Sequence, residues 1–284
     1  MTKTIDTLIS DMYDVIEGKG GWDATITEFL SEGIAGLAAE RFKGKQEVRD
    51  RISPSNLGTK CDVKLWRIVN TPDEAEPLDA QALGTFFYGD ILEILCLALA
   101  KAAGHKVEGL QEKLKIGSME GSGDCIIDGM VVDVKSASSF GFKKFEDNNL
   151  KEDDPFGYIS QISSYLYGYR KDPRVIYKDR AAFLVVKKDR FKLCLDEYDL
   201  SDEVAFKLAE LTRAKEVVQK TKVPENKQPA VPDGKSGNYK LGTMCSYCQF
   251  KKSCWPNMRT FIYSTGPRYL TAVKRVPNVP EAYD

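Results

Sequence analysis

Residues 121–138 read GSGDCIIDGMVVDVKSAS. Asp128-Gly129 is a turn dipeptide between two apolar runs, so the stretch predicts an antiparallel pair of strands over residues 122–128 and 130–136. Side chains two apart on a strand share a face, so Asp133 and Lys135 project together. The pairing carries Asp124, placed within the first strand, alongside them. Two carboxylates and an ammonium on one face resist burial unless something binds there. A hard divalent cation with oxygen ligands meets that need. Held by Asp124 and Asp133, it would bind a phosphate oxygen and lower the pKa of water, while Lys135 positions the attacking water or neutralises charge growing on the phosphate. The bland alternative is a surface hairpin with an exposed salt bridge, which D-x-K alone favours; the preceding Asp124 in its G-x-G-D context shifts the balance toward a site.

Working outward, the chain before this stretch reads as helix. Apolar residues recur at helical spacing over 3–17 and 23–43, with Gly18, Gly20 and Gly21 between them. Ser53-Pro54-Ser55 starts an amphipathic helix running through Cys61 and Trp66. An acidic loop at 70–80 leads to a strongly apolar helix over 81–103, ended by Gly104. A further short strand is expected at 110–118, then a helix over 155–169, a hairpin of 181–188 with 191–198, and a helix over 200–221. The segment 223–240, rich in Pro, Gly and polar residues, reads as a linker to a basic, aromatic, cysteine-containing tail. The order of helix, three strands, helix and two strands gives an α/β core over 81–222. It is flanked by an N-terminal helical segment, 1–80, and by a tail, 223–284, expected to pack on that segment.

Composition sets bounds. With 42% hydrophobic and 29% charged residues among 284, the chain is neither disordered, collagen-like nor a small disulfide scaffold. The longest apolar run, Ile91 to Ala100, contains Glu93 and falls short of the ~20 residues a membrane span needs. The N-terminus MTKTIDTLISDMYD has no signal-like apolar core, so a cytoplasmic protein is expected. A net charge of −1 means that any DNA binding must come from local basic clusters. The single histidine, His105, follows Gly104 in an expected loop and is given no role.

The order Asp124, Asp133, Lys135 resembles the PD-(D/E)XK nuclease superfamily, specifically its RecB-like branch, where a G-x-D strand precedes D/E-x-K. A helix with Q-x-x-x-Y follows in that branch, here Gln161 and Tyr165, which share one helix face. The resemblance implies a restriction-endonuclease-like αβββαβ core, with Gln161 near the metal or water and Tyr165 near the substrate. It also implies an upstream G-x-x-x-H helix, matched here by Gly89 to Glu93, with Glu93 in place of the histidine. Glu93, Asp124, Asp133 and Val134 would then hold Mg²⁺ or Mn²⁺, with Asp90 the fallback ligand. Gln111 matches a glutamine sometimes found there and is given no role.

A second constellation lies in the tail. Cys245-Ser-Tyr-Cys248 presents two thiolates across a turn, Cys254 adds a third, and Cys61 is the obvious fourth. Four thiolates so separated would tie the N-terminal segment to the tail. Zinc, or a set of unrelated buried cysteines, are the alternatives. Cys96, Cys125 and Cys194 read as core residues. The one-plus-three layout resembles the iron–sulfur nucleases, AddB-type helicase-nucleases and the CRISPR-associated exonuclease called Cas-four, and implies a [4Fe–4S] cluster of structural role. With Lys143 and Lys144 in a loop, SSFGFKKFEDNN, just past Lys135, a strand could be gripped beside the site.

The function expected is a metal-dependent DNA exonuclease acting on single-stranded or frayed ends, in recombination, end processing or phage- or CRISPR-related DNA metabolism. Recombination or replication proteins are the partners that follow. A non-catalytic DNA-binding or assembly protein, or an endonuclease or nickase with the same chemistry, is the alternative.

Overall fold

The computed structural model describes residues 3–44 and 50–282. The N-terminal part is helical: α1 (Leu8–Ile16), α2 (Ala24–Phe42), α3 (Pro54–Leu57), α4 (Asp62–Asn70) and α5 (Ala80–Ala102). Asp23 and Asp79 cap α2 and α5 by accepting from main-chain N–H groups of their first turns. The central part holds β1 (Val107–Glu108), β2 (Glu112–Ile116), β3 (Met119–Gly123), β4 (Cys125–Ile127) and β5 (Met130–Ala137). It continues through α6 (Ser139–Glu146), α7 (Tyr158–Gly168), β6 (Arg180–Lys187), β7 (Leu193–Asp199), α8 (Ser201–Ala205) and α9 (Lys207–Val218).

The result is a mixed α/β protein whose central sheet runs β1-β4-β5-β6-β7. Neighbours are antiparallel except β5 and β6, which are parallel. A parallel step needs a crossover, and the segment with α6 and α7 supplies it. Helices cover both faces, which is why β5 and β6 are almost continuously apolar. Val132, Val134, Ala182 and Leu184 pack with residues of α1 and α5. Val131, Phe183 and Val185 pack with Phe142 and Phe145 of α6 and with Ile162 and Leu166 of α7.

Several expectations are corrected. The strand foreseen at 110–118 lies outside the central sheet, and that foreseen at 122–128 is split, with only its second half, β4, in the sheet. β2 and β3 form their own two-stranded hairpin, and the chain breaks between β3 and β4 at Asp124. There the Asp124 carboxylate, rather than its backbone, satisfies the Val134 N–H. The helix from Ser53 is two helices, because Gly58 ends α3 and the chain turns so that Cys61 caps α4. The segment past Lys135 is a helix, α6, capped by Ser138, rather than a loop. The helix over 200–221 breaks at Phe206. His105 is buried, its ring nitrogens 2.6 Å from Asp128 and 3.2 Å from Asp11, tying the β4–β5 turn to α1. By length and composition α5 is apolar enough to cross a bilayer. Here its C-terminal half packs on α1 and the sheet.

The largest departure is the tail. The foreseen linker and tail contain β8 (Val231–Pro232), β9 (Tyr239–Lys240), α10 (Thr243–Ser246), α11 (Lys251–Cys254), β10 (Arg259–Tyr263), β11 (Gly266–Ala272) and β12 (Glu281–Ala282). The strands form a second, antiparallel sheet in the order β12-β10-β11-β9-β8. The tail packs on α4 and the loop after it. Asp62 N–H donates to the Asn226 carbonyl, Glu76 N–H to that of Gln249, and Lys251 pairs with Glu76 at 2.7 Å.

Gly58 and Gly157 seat α3 against the start of α7. A Cβ on Gly58 would lie 2.5 Å from the Ser160 Cβ and 2.9 Å from the Gly157 carbonyl oxygen. Gly58→Ala should therefore destabilise the fold by about 1–3 kcal/mol, the usual cost of overpacking. Denaturant unfolding checks this, and an unchanged midpoint would show that the contact yields.

Candidate functional site

Five segments converge at the end of the sheet near Asp124. α5 brings Glu93, the β3–β4 break brings Asp124, β5 brings Asp133 and Lys135, the loop before β2 brings Gln111, and α7 brings Tyr158, Gln161 and Tyr165. The register pairs Cys125 with Val132, so Asp124 falls opposite Asp133. Alternation then puts Asp124, Asp133 and Lys135 on the sheet face that α7 covers.

Asp133 is fully buried and its Oδ1 has no hydrogen-bond partner among the described residues. Its Oδ2 lies 2.6 Å from Lys135 Nζ. Asp124 Oδ2 accepts the Val134 N–H at 3.0 Å. Gln111 Nε2 reaches both Glu93 Oε1, at 2.7 Å, and Asp124 Oδ1, at 3.3 Å. Gln111 holds a φ of 50°, a left-handed conformation unusual for a residue with a side chain. Its amide is thereby aimed between two acids. Sequence reasoning gave Gln111 no role, and its strained backbone is not visible in the residue type.

Burial, and then the nearby Asp124 carboxylate, pushes the Glu93 carboxyl up to about 8. Burial, and then Asp133, pushes Asp124 up to about 8 as well. Burial works to neutralise Lys135, but Asp133 and Asp124 outweigh it and hold the ammonium above its ordinary range. Lys135 Nζ also lies 5.3 Å from the centroid of the Tyr158 ring, a residue that no sequence signal singled out. Tyr165 is buried and accepts from Gln161 Nε2 at 2.9 Å. Burial, with Asp133 adding, raises its phenol.

The remaining site expectations divide. Val134 contributes its N–H to Asp124, and its side chain is buried in the core. Gln161 spends a donor on Tyr165. Asp90 is paired with Arg41, so the fallback carboxylate is already satisfied. Lys143 pairs with Asp147 at 2.8 Å and Lys144 with Asp153 at 2.5 Å, so both lysines expected to grip a strand have acidic partners of their own.

The four tail-and-helix cysteines lie within electrostatic reach of one another, and all are free thiols. Cys61 caps α4 by accepting the Lys64 N–H at 3.5 Å. The Cys248 N–H donates to the Cys245 carbonyl at 3.1 Å, closing the C-x-x-C turn. Burial, with the other three cysteines adding, pushes the Cys245 thiol up to about 11. Burial raises Cys254 too, against an opposing effect of Arg67. Thiols gathered in this way, Cys61 and Cys248 buried and Cys245 and Cys254 half-buried, are a donor set suited to a soft metal or an iron–sulfur cluster. Among the described residues no three His, Cys, Asp or Glu side chains form a closed ligand set, so neither constellation is a finished coordination sphere.

Comparison with known proteins adds little. No protein-family model matches the chain, and no curated protein does. Among solved structures, the crystal structure of SSO0001 aligns with 79% of this chain and 94% of its own, at 15% identity and a TM-score of 0.41.

The raised carboxyls carry a pH signature. Their ordinary values are 4.5 and 3.8, against about 8 for each in the folded chain. The folded state therefore binds protons that the unfolded state gives up. That stabilisation is complete below about pH 4 and is lost as pH rises through about 8. Freed of divalent ions, the protein should lose more melting temperature between about pH 5 and about pH 8 than its Glu93→Gln variant does. Parallel melting curves for the two would contradict the shared burial of these acids.

Proposed function

We propose that the chain is a PD-(D/E)XK nuclease: a metal-dependent hydrolase of DNA phosphodiester bonds, working as an exonuclease on single-stranded or frayed ends. The observation that carries this reading is Asp133, fully buried with one oxygen unpartnered, beside Lys135, Asp124 and Glu93. Ionised together, these buried acids would outnumber the one ammonium among them, and a divalent cation would balance the excess that otherwise keeps them protonated. Glu93, Asp124, Asp133 and the Val134 carbonyl would hold Mg²⁺ or Mn²⁺, which when bound supplies Lewis-acid stabilisation of phosphate and a more acidic attacking water.

The side chains divide the remaining work. The Val134 N–H and Gln111 fix the direction of Asp124. Lys135 stays protonated under the influence of the two aspartates and can meet charge developing on the phosphate. Tyr165 accepts from Gln161 and keeps its own proton, because burial disfavours the phenolate. The four cysteines suit a [4Fe–4S] cluster, with zinc as the alternative occupant. Either would fasten α4 to the tail. The reading extends to processing of DNA ends alongside recombination or replication proteins in the cytoplasm.

The test is cleavage by the purified protein with Mn²⁺ on linear single-stranded DNA. Asp133→Ala should lower the rate by about 10²-fold or more while DNA binding persists. Circular DNA cut equally well would turn the reading to an endonuclease. Binding without cleavage by wild type in either metal would turn it to a DNA-binding or assembly protein. Metal analysis should give about four irons per chain, lost in Cys254→Ser. One zinc instead would replace the cluster assignment.

A further inference from the structure

An aromatic path leaves the acidic pocket and ends at the cysteines. It begins with Tyr158, whose ring takes the Lys135 ammonium. The ring centroid of Phe156 follows at 5.6 Å, tilted by 34°. Tyr247 comes next at 6.0 Å in an edge contact with Phe156. Phe156 is 43% exposed and Tyr247 is 77% exposed. An edge contact occupies the rim of one ring and a single face of the other, so ring faces remain for a further stacked group.

These rings are exposed but firmly held. The Asp154 carboxylate accepts the N–H groups of Gly157, at 2.8 Å, and Ile159, at 2.9 Å, fixing the turn that carries Phe156. Gly157 takes a φ of 76° and lies against Gly58, which clamps the same turn to α3. Tyr247 sits inside the C-x-x-C turn between Cys245 and Cys248. Large rings on pre-set turns lose little freedom on binding. The path also starts at the ammonium assigned to the phosphate, so a strand lying along it would place one backbone linkage at the acids and its neighbouring bases over the rings. Paired bases have their faces covered and cannot use such a path, whereas unpaired bases stack on aromatic side chains whatever their sequence.

We propose that Phe156 and Tyr247 form a base-stacking track for an unpaired nucleic-acid strand between the acidic pocket and the cysteine turn, joined to the pocket by Tyr158, whose own ring is taken up by Phe145 and Lys135. The proposal rests on the nuclease reading for the strand's direction. The stacking itself is independent of catalysis. The track offers a hold on a strand, through its bases, where Lys143 and Lys144 are already paired with acids.

The experiment measures binding of labelled oligothymidylate, and of a blunt duplex of the same length, to the full chain without divalent ions. Phe156→Leu and Tyr247→Leu should each weaken single-strand binding roughly fivefold to a hundredfold, the range of one base–aromatic stack, and leave duplex binding unchanged. Tyr247→Phe should bind as wild type does. Unchanged melting and metal content establish that the Leu variants are folded. Full single-strand affinity in both Leu variants overturns the track, as does an equal loss on duplex. With Mn²⁺ present the two readings separate. Cleavage by wild type with normal binding by the Leu variants rejects the track and keeps the nuclease. Weakened binding in those variants, with no cleavage by wild type, keeps the track and rejects the nuclease.

Discussion

The structure turns on placing Asp133 and Lys135 in the middle of β5. A strand buried on both faces admits charge only where opposite charge or a ligand answers it. Lys135 answers one oxygen of Asp133, and the other has no hydrogen-bond donor among the described residues. Much of the surrounding architecture serves that arrangement. The break at Asp124 frees a carboxylate to take a strand N–H, and the parallel β5–β6 step brings the crossover helix α7 across the same face. That helix contributes Tyr158, Gln161 and Tyr165 to one wall.

The electrostatic consequence is a pocket poised between states. Without a cation, burial drives Glu93 and Asp124 toward their protonated forms, and Lys135 keeps its charge because the aspartates outweigh its own desolvation. Were a cation bound, the same acids would be ionised ligands and its binding would release protons. Gln111 is suited to both conditions, since its amide reaches Glu93 and Asp124 together.

Much of this was legible in the sequence, for identifiable reasons. Period-two patterning and the Asp128-Gly129 turn located β4 and β5 and fixed the relation of Asp124 to Asp133, because register follows from the turn. The apolar helix around Glu93 and the C-x-x-C spacing were equally local signals. What was not legible depended on contacts distant in sequence. The bond of Gln111 to Glu93 spans 18 positions, and that of His105 to Asp11 spans 94. The second sheet was missed because its strands are short and begin in Pro- and Gly-rich sequence, although RTFIY at Arg259–Tyr263 and GPRYLTA at Gly266–Ala272 flank a turn. Lys143 and Lys144 looked available because a sequence shows charges without their partners.

The cap that Cys61 places on α4 has a consequence for biosynthesis. The remaining three thiols begin at Cys245, so 184 positions separate the first from the rest. At ~5–20 residues per second on the ribosome, that distance takes about 10 to 40 s. Throughout that interval Cys61 stands at the start of a nascent helix without the three later thiols, and the tail that packs on that helix has not been made. A ribosome stalled before Cys245 therefore leaves the loop after α4 without the Gln249 carbonyl and the Lys251 ammonium that hold Glu76.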